Sequence, residues 1–142
     1  MDDAAKIVRE GFERACSDFT GLVSSLGFVR ERKLHWTRRR GAFIEAVHLH
    51  RGGSTYKATN NYSVNIRMHF SMHLVENADL NMLNGPSTEL LRDDRGYAYH
   101  LRFNALTGST YDRCINDLMK VMQEHGLPWF GAQSALPAPQ DP

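Results

Sequence analysis

Cysteine is scarce in this chain of 142 residues. Cys16 and Cys114 are the two present, and they fall in segments that read as different helices. Two such thiols make no disulfide framework, so the core must come from packing, and free thiols of a reducing compartment are expected. Long apolar runs are also missing. No stretch approaches the roughly 18 apolar residues needed to cross a bilayer. The N-terminal MDDAAKIVREGFERACSDF begins on acids and carries charge throughout, unlike a secretion signal. A cytoplasmic protein with no membrane partner is expected. Charge of one sign is not in excess either: the formal net charge of +1 supplies no global field for nucleic acid, membrane or acidic substrate, which leaves that work to local patches. The sequence has no HExxH, no CxxC and no glycine-flanked serine elbow, so neither a catalytic residue nor a metal ligand set is assigned and no cofactor is implied.

What remains is an ordinary folding composition, 42% hydrophobic and 23% charged. The length suits one domain over residues 1–133, followed by a Pro-rich stretch, 134–142, that reads as a disordered tail. Ala4, Val8, Phe12, Ala15, Phe19, Leu22 and Leu26 recur at steps of three and four and predict an amphipathic helix closed by Gly27. Phe28 to Arg40 and Ala42 to Arg51 read as two strands of a hairpin turning at Gly41. Gly52 to Asn61 reads as a mobile loop. Val75 to Gly96 shows no clear period and leaves room for short helical pieces. Tyr97 to Phe103 alternates as a further strand. A last helix is expected from about Thr110 to His125, opened by a weak Ser109/Asp112 capping box, with Tyr111, Ile115, Leu118 and Met122 inside and Gly126 and Pro128 ending it. Trp129 and Phe130 are expected to fold back onto the core.

The most informative segment is YSVNIRMHFSMHL, Tyr62 to Leu74. Its apolar and polar residues alternate, so one face is oily and the other carries Asn65, Arg67, His69 and His73. The expected architecture is therefore α+β, an antiparallel sheet of about four strands with two amphipathic helices on its oily face. The polar face is then open.

Leu26-Gly27-Phe28 at the end of a first helix, Trp36 within a basic strand, the Val47-His48-Leu49-His50 strand and Val64-Asn65-Ile66 in the next resemble the bacterial "domain of unknown function 4304" family, over roughly Phe12 to Phe103. The resemblance implies an intracellular bacterial α+β protein, with relatives that look like immunity proteins encoded near secreted toxins. His48 and His50 depart from the asparagine and glutamine expected in the second strand of that family.

Three functions compete for the polar side. As a docking surface for a partner protein, for example a toxin domain to be neutralised, it offers Asn65, Arg67, His69, His100, Arg102, His48 and His50, with Trp36 or Tyr56 at the rim. As a nucleic-acid surface, Arg30, Arg32, Lys33, Arg38, Arg39 and Arg40 would neutralise phosphates beside Phe28 and Trp36, although the same charges equally protect an edge strand from pairing. As a metal-dependent enzyme, His48 and His50 would grip an ion together with a histidine of a neighbouring strand. Glu45 shares parity with Phe43, Val47 and Leu49, which puts it at the core margin or on a bulge and makes a general acid conceivable. A non-catalytic binding protein needs the fewest special assumptions.

Overall fold

The computed structural model describes residues 3–52, 62–76 and 83–134. The loop expected up to Asn61, with Tyr56 in it, and the expected tail from 135 onward lie outside the described residues. Helix α1 (Asp3–Ser24) is followed by strands β1 (Val29–Arg32), β2 (His35–Arg40), β3 (Phe43–Gly52), β4 (Ser63–Leu74), β5 (Leu83–Ser87) and β6 (Arg102–Asn104). Helix α2 (Tyr111–Val121) then leads through a π-helical turn (Met122–Gly126) into α3 (Leu127–Ser134). The fold is α+β, as the periodicity implies, with six strands among the described residues where about four are expected. The order is β1-β2-β3-β4-β5 with β6 also on β4, and every pairing is antiparallel.

Helix α1 ends where its sequence says it should. Gly27 takes φ +92°, the N–H of Phe28 donates to the carbonyl of Val23 and that of Gly27 to the carbonyl of Ser24. These two bonds satisfy carbonyls that the helix end would otherwise orphan, and Phe28 drops into the core. The buried stripe runs through Val8, Ala15, Cys16, Phe19 and Val23, whereas Leu22, expected inside, is 42% exposed.

Three expectations fail at element boundaries. The run Phe28 to Arg40 is not one strand but a hairpin, because the Arg30 guanidinium bonds the carbonyl of Lys33 from Nε (2.9 Å) and Nη2 (2.6 Å) and closes a turn that contains no Gly, Pro or Asn. The segment read as irregular contributes β5, in which Pro86 is tolerated because the strand lies at a sheet edge. Of the strand expected at Tyr97–Phe103 only the end pairs, as β6, since Tyr99 and His100 are drawn instead towards the helices.

The last helix also departs from its expected ends. Thr110 occupies the N-cap with φ 64° and makes no side-chain cap, so the capping box does not form. Gly126 and Pro128 do not stop the chain either. The N–H of Leu127 reaches back five residues to the carbonyl of Met122, and this widened turn stands directly before Pro128. It relieves the clash that a proline ring normally makes with the preceding turn. Gly126 is required for a different reason: a Cβ there would stand 2.6 Å from Cε1 of Phe70. The run from α2 to α3 therefore acts as one helical body that lies directly on β4, and Phe130 completes the contact, 5.7 Å from Phe70 and 6.0 Å from Phe28 between ring centroids.

The core is built on the oily sheet face, where Trp36, Val47 and Phe70 stand side by side on β2, β3 and β4. Phe19 of α1 meets Trp36 edge-to-face at 5.1 Å. The indole N–H of Trp36 donates to Thr20 Oγ1 at 2.9 Å, and that hydroxyl donates on to the carbonyl of Cys16 at 2.7 Å. Cys16 and Cys114 are buried free thiols, pushed up to about 11 and about 12 by desolvation, which makes them packing residues at neutral pH. Among the described residues no helix is long and apolar enough to cross a membrane.

Candidate functional site: an imidazole row on the open sheet face

Both helical bodies seat on one side of the sheet, α1 through Phe19 on Trp36 and the α2–α3 run through Gly126 and Phe130 on Phe70. The reverse side carries no helix among the described residues. Strict alternation places His35 on β2, His48 and His50 on β3, and Asn65, Arg67, His69 and His73 on β4 there, with Arg102 of β6 opposite Asn65. Arg67 and Arg102 are exposed, and the others are half-buried.

The register aligns three imidazoles in a line across three strands, His35 opposite His48 and His48 opposite His69. Ring centroids are 4.0 Å apart for His35–His48 and 4.2 Å for His48–His69, the latter pair within 4° of parallel. His50 extends the stack diagonally, 5.3 Å from His69 and within 3° of parallel. Ser71 is buried beside them and shares a 2.8 Å hydrogen bond between its Oγ and His48 Nε2, the donor being set by the imidazole tautomer.

Such crowding suits uncharged rings. Burial first, and then the neighbouring imidazoles, push His48 down to about 3. His69 is lowered by burial and by His50, His35 and Arg67; His35 is lowered by burial, Arg32 and His73, against a raising contribution from Glu31. At neutral pH these three rings are therefore uncharged, each with one N–H donor and one acceptor nitrogen, and Nε2 of His48 is already engaged by Ser71.

The remaining charges are sparse. Glu89 pairs with Arg67, Glu31 Oε2 accepts from Thr37 Oγ1 at 2.7 Å, and Arg39 donates to the carbonyl of Gly41 at 3.2 Å. Arg102 adds a further cation at the β6 end.

Two of the expected docking residues are elsewhere. Trp36 has 0% exposure and faces the helices, because its parity is opposite to that of His35. His100 is not in the ladder: its backbone N–H donates to Asp117 Oδ2 at 2.6 Å, which ties it to α2 beside Arg113. Its neighbour Tyr99 explains the detour, donating its hydroxyl to Glu124 Oε1 at 2.6 Å while His125 Nε2 bonds the Tyr99 hydroxyl at 2.8 Å. His35 was not singled out by its sequence, and the sign that points to it is its alternation with a buried tryptophan.

The basic strand is divided among structural tasks. Arg30 makes a two-pronged pair with Glu13 of α1 at 2.8 and 2.9 Å. Arg38 bonds Glu45 and the carbonyl of Leu26, and Arg40 bonds the other Glu45 oxygen. Three of the six cations thus serve the fold, which weakens the phosphate-binding alternative. Glu45 is on a regular part of β3 and fully buried, and both of its oxygens are engaged by these guanidiniums, so it is not an acid free to give a proton to a substrate. Among the described residues no group of three His, Cys, Asp or Glu side chains is placed to hold a metal ion. On the histidine face His48, His69 and His50 stack within 4° of parallel, which keeps their nitrogens side by side instead of converging on a point, while His35 is tilted 56° to His48.

Comparison of the chain with protein-family models, curated proteins and solved structures finds no match.

Proposed function

We propose that this chain is a non-catalytic binding protein that docks a partner protein on the open face of its sheet, in the manner of an immunity protein that holds a toxin domain. The observation that carries the reading is the one-sided packing: Trp36 and Phe70 anchor every described helix to the oily side, while His48, His50, Asn65, Arg67, His69 and Arg102 stand together on the other. A rigid ladder presenting arginine, amide and imidazole groups can bind without ordering itself first, which lowers the entropic cost of association. The resemblance of Leu26-Gly27-Phe28 and the strands after it to the "domain of unknown function 4304" family is what favours a toxin as the partner.

The test is genetic and biochemical. The reading expects a toxin gene beside the one that encodes this chain, and a product that co-purifies with it. Arg67→Glu should abolish that co-purification while leaving the circular-dichroism spectrum unchanged. A toxin product that binds wild type and Arg67→Glu equally would move the interface off this face.

A further inference from the structure

We propose that the imidazole row makes this face proton-coupled: docking of an acidic partner draws protons onto the row. The partner half of the inference rests on the docking reading above, whereas the proton half rests on the geometry of the row alone.

Three rings opposed across adjacent strands at 4.0 and 4.2 Å, with a fourth at 5.3 Å, form one interacting group. A proton added to any ring meets a neighbour within stacking distance, and a second proton meets a like charge. The groups facing the row are Glu31 and Arg32 from β1, Thr37 and Arg39 from β2, Arg67, Ser71 and His73 from β4, and Glu89 beyond the sheet edge. Of the two carboxylates, Glu89 is committed to Arg67 and Glu31 accepts from Thr37. Among the described residues the face therefore has more cations than acids and no uncommitted carboxylate to neutralise a charged ring in the middle of the row.

A partner carboxylate laid along the exposed edges of the rings supplies what is missing. It offers an acceptor and a negative charge, both of which favour the imidazolium form. Binding and protonation then reinforce each other by linkage, so affinity rises as pH falls across the interval between the free and bound titration midpoints. An acidic surface is the class of partner this selects, and a basic one is repelled by Arg39, Arg67, Arg102 and any proton on the row.

The full chain and a polyglutamate peptide at fixed ionic strength serve as the system. Titration calorimetry at pH 6 in two buffers of different ionisation enthalpy should show about one proton taken up per peptide bound, and affinity should rise roughly tenfold between pH 7 and pH 5.5. In His48→Gln/His69→Gln the uptake should vanish and the pH dependence flatten, while a salt-sensitive baseline from the arginines persists. As a partner-independent control, nuclear magnetic resonance of the free chain should show the His48 ring uncharged well below pH 6.5 and the His69 midpoint lowered, and His69→Gln alone should raise the His48 midpoint. Midpoints at the ordinary histidine value, or a pH dependence identical in the double variant, overturn the proposal. Loss of a toxin partner with these results intact overturns only the identity of the partner.

Discussion

Arg38 and Glu45 stand directly opposite each other on β2 and β3, on the face that packs against the helices, and Glu45 Oε1 receives both Nε (2.8 Å) and Nη2 (2.6 Å) of the guanidinium. Arg40 Nε takes the other oxygen at 2.9 Å, and Arg38 Nη1 reaches the carbonyl of Leu26 at 2.9 Å. One carboxylate with 0% exposure thereby joins two adjacent strands to the end of α1. Removing it strands a guanidinium that is itself only 17% exposed. Glu45→Ala should cost about 3 kcal/mol or more, as expected for one half of a buried ion pair. Arg40→Ala, whose side chain is 43% exposed, should cost about 1 kcal/mol or less. Urea denaturation of the two variants separates the values.

The buried indole provides a second measure. Thr20→Val keeps the volume of the side chain but removes the oxygen that receives the Trp36 N–H. A loss of about 1–3 kcal/mol is expected, the cost of an unpaired buried donor, and chemical denaturation followed by tryptophan fluorescence reads it.

Two glycines should respond with opposite signs. At Gly126 a methyl group would sit 2.6 Å from the Phe70 ring, so Gly126→Ala should destabilise by about 1–3 kcal/mol. At Gly21, exposed in α1 with no neighbour within 4 Å of the place a Cβ would take, alanine should stabilise by up to about 1 kcal/mol. Thermal unfolding of both variants beside wild type gives the comparison.

Stability should depend on pH through His48. Its folded midpoint, about 3, lies below that of the unfolded chain at about 6.5, so the unfolded state binds more protons throughout that interval. Both states are neutral at this position above the interval, and the native state loses ground as pH falls through it. His48→Gln should be less acid-sensitive between pH 6.5 and 4, measured as the shift of the urea midpoint with pH.

Much of this was written in the residues. The alternation of β4, the Gly27 stop, the turn at Gly41 and the α2 stripe of Tyr111, Ile115, Leu118 and Met122 are local patterns, and each is realised. What escaped depended on contacts distant in sequence. The β1–β2 turn is held by an arginine side chain where no turn residue marks it. Tyr99 and His100 leave the alternating strand for acids on the α2 and π-helical segments, and Gly126 continues a helix because an aromatic ring on β4 lies against it. The candidate face followed the same division. His48, His50, Asn65, Arg67 and His69 were legible from parity, and Arg102 keeps its place through β6. His100, Trp36 and the stacking of the rings required the register between strands.

The thiols offer a fifth check. Cys16 and Cys114 have 0% exposure and thiols held mostly protonated by burial, so neither should react with an aromatic disulfide reagent at pH 8 until the chain opens. Their labelling rates should coincide and follow global unfolding as denaturant is raised.

Because every described helix cements the sheet from the same side, its two surfaces answer to separate demands. The residues between strands and helices are constrained by volume, down to a single methyl group at Gly126. Side chains on the reverse can be exchanged for others of similar strand preference with little disturbance to that interior. A scaffold of this kind can have its specificity rewritten strand by strand while the interior that holds it together stays as it is.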